Sequence, residues 1–193
     1  KEAIEEAHRA IIKLGEDKPD IRGMASTVVA VHFKGGHYQI CWVGDSRAYL
    51  INEQGIKQIT TDHNQAQFLV ELGEISAVEA RTHPTQRILM HAVGVNDEGW
   101  KVDQLEGDLE AGDKLLLCSD GLSGELEDTE ISDSFDGGNP LSVIVDELVV
   151  KALNKGGSDN ITLALIALDR HGVKARGALD KPLADTGHSK PSE

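Results

Sequence analysis

Lys114-Leu115-Leu116-Leu117-Cys118-Ser119-Asp120-Gly121-Leu122 decides how this chain is read. A short apolar run, too brief for a helix, has the length of a buried strand. It stops abruptly in Ser-Asp-Gly, which are turn formers. A carboxylate at a strand end stands on a rigid base, and its small neighbours leave room for an ion and its waters. The same form occurs twice more, at Val43-Gly44-Asp45-Ser46-Arg47 and at Gly157-Ser158-Asp159-Asn160-Ile161. Taken singly, each reads most simply as an Asx-turn bonded to its own backbone. Taken together, three carboxylates gathered from distant strand ends repel one another unless a cation neutralises them. Asp45, Asp120 and Asp159 are therefore a candidate Mg²⁺ or Mn²⁺ site.

Outward from these turns the periodicity alternates between two kinds. Lys1–Leu14 carries Ala3, Ile4, Ala7, Ile11 and Leu14 at helical spacing, and Gly15 is expected to end that helix. Residues 16–23 are polar and read as a loop. Ala25–Phe33, His37–Val43, Arg47–Asn52 and Ile56–Thr60 read as four strands of one antiparallel meander, the first pair joined by the Lys34-Gly35-Gly36 turn. Gln65–Leu72 and Ser76–Arg81 read as short helices, the second with a capping box from Ser76 and Glu79. His83-Pro84 breaks that helix.

Further on, Val102–Leu105 and Lys114–Cys118 are strands, Pro140–Asn154 is a helix with one broad apolar face, and Ile161–Leu168 is a strand apolar on both sides. From residue 169 the chain is polar and aperiodic, so residues 1–168 are expected to form the domain and 169–193 a disordered tail or linker. Strands in antiparallel order with helices between them suggest an α+β fold of two sheets covered by helices.

The bulk properties exclude more than they assert. The 193 residues are enough for one self-sufficient domain. With 19 basic against 33 acidic residues the formal charge is −14, which disfavours nucleic acid as a partner. No apolar run approaches the roughly 20 residues of a membrane span, and no secretory signal is visible, so a cytoplasmic location is expected. Cys41 and Cys118 both sit in apolar runs and form neither a disulfide framework nor a CxxC site. The eight histidines are scattered without ligand spacing, and solvent or packing roles are expected of them.

Seven segments in order carry a resemblance. Val43-Gly44-Asp45-Ser46-Arg47-Ala48-Tyr49 resembles the VGDSRAY motif of PPM-type, or type 2C, protein phosphatases. Gly112-Asp113 with Leu115–Leu122 resembles their GD..LLCSDGL motif, and Ser158-Asp159-Asn160-Ile161-Thr162 their SDNIT motif. Gly23–Val29 resembles the GST-type strand; Thr61-Asp62-His63-Asn64, Glu79-Ala80 and His83-Pro84 with Arg87 resemble the bacterial flap segment. The match runs from about Ile21 to Leu168.

The resemblance implies a four-layer αββα sandwich with two mostly antiparallel sheets. The cleft between them would hold two core Mn²⁺ or Mg²⁺ ions and a third, weaker one. By position, Asp120 and Asp159 are implied as core ligands, and Asp45 with Asp120 as the third site. Ser119, Gly121, Asn160, Ser46 and Arg47 lie beside these ligands or near the substrate, with a structural ion pair the simpler role for Arg47. The implied reaction is hydrolysis of phosphoserine and phosphothreonine in proteins by a metal-activated water, without a catalytic side-chain nucleophile, opposing a Ser/Thr kinase. Hard carboxylate ligands suit these metals better than Zn²⁺.

The family's N-terminal motifs have no counterpart here: the phosphate-binding Arg, an acidic ligand and the DG-x-GG segment that bridges the core metals. In the family that segment precedes a helix like Lys1–Leu14. The expectation is a fold incomplete at its N-terminus, an impaired chain as it stands, and an active enzyme when intact. The alternative is a non-catalytic PPM-like regulatory or binding module. A Ca²⁺-binding β domain has less support, since no DxDxDG loop occurs.

Overall fold

The first hairpin forms as its sequence dictates. β1 (Val28–Lys34) and β2 (His37–Val43) pair antiparallel with Lys34 opposite His37, and Gly35 turns between them at φ +66°. Positive φ at that position is what a two-residue hairpin needs. The computed structural model describes residues 1–95, 99–169 and 172–181.

The expected single meander does not form. β3 (Arg47–Asn52) and β4 (Gly55–Gln58) pair with each other but belong to a second sheet. The chain crosses between sheets at Gly44-Asp45-Ser46. Gly44 has φ +108°, and a Cβ there would stand 2.4 Å from the Thr27 side chain. Alternation along a strand reports which face is buried; it does not report which sheet the strand joins.

The first sheet has the order β1-β2-β5, with β5 spanning Asp103–Asp108. The second has the order β4-β3-β6-β7-β8, all antiparallel, with β6 at Lys114–Cys118, β7 at Ile161–Asp169 and β8 at Gly172–Lys181. β8 departs from the expected tail. It pairs along β7 from Asp169–Gly172 to Ile161–Lys181, with one irregularity. Val173, Lys174, Ala175 and Arg176 do alternate, but apolar residues there are too small and too few to mark a strand by periodicity. Residues 182–193 of the expected tail lie outside the described residues.

Three apolar clusters show the layering. Between the sheets, Tyr38, Ile40 and Trp42 of β2 meet Ala48 of β3, Leu115 and Leu117 of β6 and Ile166 of β7. On the far face of the second sheet, Tyr49, Leu116, Leu163 and Leu165 pack against α6 (Leu141–Lys155) through Ile144, Val145, Leu148 and Val149. Two short helices join that layer, α4 (Asp120–Ser123) and α5 (Asp128–Asp133). On the far face of the first sheet, Ile4 and Ile11 of α1 (Glu2–Asp17) pack with Cys41, Val43, Val93 and Val102. The order is helix, sheet, sheet, helix, as the resemblance implied.

Local differences have local causes. α1 runs through Gly15 to Asp17: Gly15 is buried inside the helix, where a Cβ would stand 3.4 Å from the Arg22 Cα, and Pro19 supplies the stop. α4 and α5 are too short to leave a 3.6-residue pattern. α2 (Gln65–Glu71) and α3 (Ala77–Ala80) form as read, and the Ser76–Glu79 capping box is present.

The crossing yields a comparison of two glycines. Gly44 and Gly55 have nearly equal φ, +108° and +112°, but only Gly44 is crowded. Gly55→Ala is expected to cost backbone strain alone, about 1–3 kcal/mol, and Gly44→Ala measurably more, read as the difference in urea midpoints. Equal losses would mean that the Thr27 contact does not constrain the crossing.

Candidate metal centre

Each of the three acidic turns caps a strand at the same end of the sandwich joint. Asp45 follows β2, Asp120 follows β6 and opens α4, and Asp159 precedes β7. Asp45 and Asp120 line one small cleft with Arg47, Asp62, Asn64, Gln86, Arg87, Ser123 and Gly124. Asp159 does not line that cleft, yet its charge reaches Asp120. Asp120 is thus the middle member of a chain of three carboxylates. Among the described residues, no three His, Cys, Asp or Glu side chains are close enough together to hold a metal ion on their own.

The electrostatics follow from this packing. Burial, then the charges of Asp120 and Asp62, push the Asp45 carboxyl up from 3.8 to about 6. Burial and Asp159 push Asp120 up as well, while Arg87 pulls it the other way. Removal from water disfavours the ionised form, and a like-charged neighbour adds to that. The donors are hard oxygens with unsatisfied negative charge, which fits Mg²⁺ or Mn²⁺.

The residues beside the three carboxylates hold the turns. Ser119 Oγ accepts the Thr162 N–H at 3.1 Å and reaches the Asn160 carbonyl at 3.2 Å. A Cβ on Gly121 would stand 2.2 Å from the Asn160 carbonyl oxygen, so the Asp120 turn lies flush on the Asp159–Asn160 turn. The Asn160 N–H donates to the Asp159 carboxylate at 2.6 Å. Ser46 Oγ pairs with Thr27 Oγ1 at 2.8 Å, tying the crossing to the residue preceding β1.

Arg47 is committed to Asp62. Its Nε and Nη2 donate to the two carboxylate oxygens at 3.0 and 2.8 Å, and Nη1 donates to the Tyr49 hydroxyl at 3.0 Å. Asp62 is nearly buried and also accepts from Gln58. Its importance was not apparent from the chain, although it sits in the quoted Thr61–Asn64 segment; nothing local distinguishes a carboxylate paired across the fold.

Two of the histidines, His63 and His8, do more than fill solvent or packing positions. His63 is buried, receives the Gly44 N–H on Nδ1 at 3.2 Å and bonds Asp103 through Nε2 at 3.1 Å. His8 is buried too, stacked on Trp100 at 3.6 Å and accepting the Gly94 N–H. Cys118 is no nucleophile: burial pushes its thiol up to about 12.

A helix–sheet–sheet–helix sandwich with carboxylates collected where the sheets meet is the form of the metal-dependent phosphatases. The chain belongs to the protein phosphatase 2C family, whose profile it matches over residues 1–160. It is 36% identical over 169 residues to the serine/threonine phosphatase Stp of Listeria monocytogenes, covering 88% of this chain and 67% of that protein. Its fold superposes on the crystal structure of the serine/threonine phosphatase Stp1 from Staphylococcus aureus with a TM-score of 0.80 and 34% identity, over 86% of this chain and 65% of the other. It also superposes on the PstP catalytic domain in complex with two manganese ions, with a TM-score of 0.71 and 32% identity, over 86% and 66%. The chain spans about two thirds of the length of each.

The raised Asp45 carboxyl has a thermal consequence. The folded protein holds that proton more tightly than the unfolded chain, so stability is lost as pH rises from about 4 to about 6 and stays lost above. In chelator, Asp45→Asn is expected to exceed the wild type at pH 7.5 by about 1–2 kcal/mol, the full shift discounted for partial exposure. Below pH 4 the two should coincide. Calorimetry across that range checks it, and an Asn variant no more stable at pH 7.5 would remove the repulsion from the account.

Proposed function

We propose that the protein hydrolyses phosphoserine and phosphothreonine in phosphoproteins, using Mn²⁺ or Mg²⁺ at the acidic joint. Asp120 and Asp159 are the core ligands, and Asp45 with Asp120 forms the weaker third site. The observation that carries this reading is the row Asp45, Asp120, Asp159, with the Asp45 and Asp120 carboxyls each raised by burial and by a neighbouring carboxylate. When bound, such cations neutralise phosphoryl oxygens and acidify water as the attacking group.

This chain's own residues do the positioning. Asp120 is held between the other two by the contact of Gly121 with Asn160 and by the bonds of Ser119. Arg87 lines the cleft and extends toward Ser158 at 3.4 Å, bringing positive charge to the mouth where a phosphate dianion would enter. Substrate phosphoproteins would be those of an opposing Ser/Thr kinase, in the cytoplasm. No described helix is long and apolar enough to cross a membrane.

A second reading, a non-catalytic regulatory or binding member of the same fold, draws on one observation: the described residues contain no complete three-ligand group. Turnover decides between them. The protein at the length its gene encodes is expected to release phosphate from a small aryl phosphate only with Mn²⁺ or Mg²⁺. Asp120→Asn is expected to lower that rate by at least about 100-fold, since a core metal supplies several kcal/mol of charge stabilisation. A metal-dependent rate that survived this substitution would remove Asp120 from the ligand set. No rate at all from the wild type would favour the second reading.

A further inference from the structure

His63 occupies a place that neither packing nor solvation explains. It directly precedes Asn64, the N-cap of α2, far along the chain from the crossing at Gly44-Asp45-Ser46. Yet the two segments clasp each other. The His63 backbone N–H donates to the Gly44 carbonyl at 3.0 Å, and the Gly44 N–H donates back to His63 Nδ1 at 3.2 Å. The ring's other nitrogen, Nε2, lies 3.1 Å from the Asp103 carboxylate, which Lys101 also holds at 2.9 Å. The ring sits near Trp42 and His91, at centroid distances of 6.2 and 5.5 Å.

The partners fix the tautomer. An N–H donor at Nδ1 requires a lone pair there, so the proton of the neutral ring is on Nε2, aimed at Asp103. A carboxylate, a buried imidazole and a backbone amide thus form one directed chain from β5 to the acidic crossing. That amide belongs to the residue immediately before Asp45, a glycine whose φ of +108° few other residues would adopt.

We infer that His63 is a positioning residue for the acidic joint: by accepting the Gly44 N–H it fixes the direction in which the Asp45 carboxylate is presented. The role rests on the proposed metal-dependent activity for its consequence, though the hydrogen bond itself does not. Partners that orient a ligand without touching the metal are as much a part of a site as the ligands. The chain Asp103, His63, Gly44 has that form, acting through backbone on the ligand.

Two substitutions separate the ring's two bonds. In His63→Asn the side-chain oxygen stands where Nδ1 stood and can still accept the Gly44 N–H. In His63→Gln the amide nitrogen reaches toward Asp103 and the acceptor at Gly44 is lost. Using the protein at its gene-encoded length, His63→Gln is expected to raise the Mn²⁺ concentration for half-maximal turnover by about 10-fold or more, with a smaller change in kcat at saturating Mn²⁺. His63→Asn is expected to stay within about 2-fold of the wild type on both. Calorimetric titration with Mn²⁺ alone gives the same ranking without turnover.

In the wild type, nitrogen-15 spectra should show the Nε2–H tautomer and a scalar coupling between the Gly44 amide and His63 Nδ1. That measurement needs no variant and stands even if His63→Gln fails to fold. Absence of the coupling, or equal Mn²⁺ requirements for the Gln variant and the wild type, overturns the inference. Retained turnover in Asp120→Asn would instead overturn the ligand assignment and leave the hydrogen bond in place, so the two failures are distinguishable.

Discussion

Like charge collected in a half-buried cleft is the constraint on which this molecule is organised. Left free, Asp45 would turn to solvent and Asp120 would lean away from Asp159, because separation relieves repulsion at little cost in flexible backbone. The fold withholds that relaxation. Asp45 leaves a strand through a glycine with no room for a side chain beside Thr27, and Asp120 sits on a turn whose Gly121 has none beside the Asn160 carbonyl. Burial first, and then the two neighbouring carboxylates, push the Asp45 carboxyl up to about 6. A site preorganised in this way is destabilising without its cations and correspondingly receptive to them, since binding removes the repulsion that folding imposed.

The neighbouring arginine sharpens the point. A guanidinium two residues from Asp45 could have neutralised it and left a quiet surface ion pair. Instead Arg47 is engaged in a bidentate pair with Asp62 and bonded to Tyr49. Its pull on Asp45 is weaker than burial and than either neighbouring carboxylate. Fork-to-fork pairing is directional, so a guanidinium held by one carboxylate is poorly placed for another. The charge of Arg47 is used to fasten the start of the 62–90 segment to β3, and the charge of Asp45 is left over for something from outside.

Much of this is legible in the chain, and the remainder has a common cause. The strands β2, β3 and β6, the helix α6 and the Ser76 cap follow from periodicity and capping, which are local. So does the presence of an Asp at the end of each apolar run. The four layers and the expectation that these carboxylates hold metal come from resemblance to a family, because no spacing rule tells which strand ends meet. The single meander fails at Gly44 for that reason: a chain that turns within a sheet and one that crosses to the next sheet use the same residues. β8 escapes because Gly172–Lys181 has too little apolar contrast, and its pairing comes from the free edge of β7. His63 and Asp62 escape because a buried, bonded polar residue and a solvated one are written with the same letter; only the partners Gly44, Asp103 and Arg47 distinguish them.

Those same partners separate the outer face of the segment between β4 and β5 from the acidic crossing. Its two ends are joined to each other, Gln65 N–H donating to Ile88 O and Met90 N–H to His63 O, and His63 ties them to the body through its bonds with Gly44. Arg81 adds a third fastening, 2.8 Å from Glu127 and 3.0 Å from Asp128 at the start of α5. Between the fastenings, Phe68, Leu72 and Val78 expose apolar side chains to solvent. Exposed apolar residues on short, shallowly packed helices contribute little to folding and are open to replacement. Replacement of His63 or Asp62 instead strikes bonds that reach Gly44 and Arg47, on either side of Asp45. The division between a replaceable outer face and a constrained seam therefore comes from where the hydrogen bonds go, since the seam alone shares its partners with the acidic crossing.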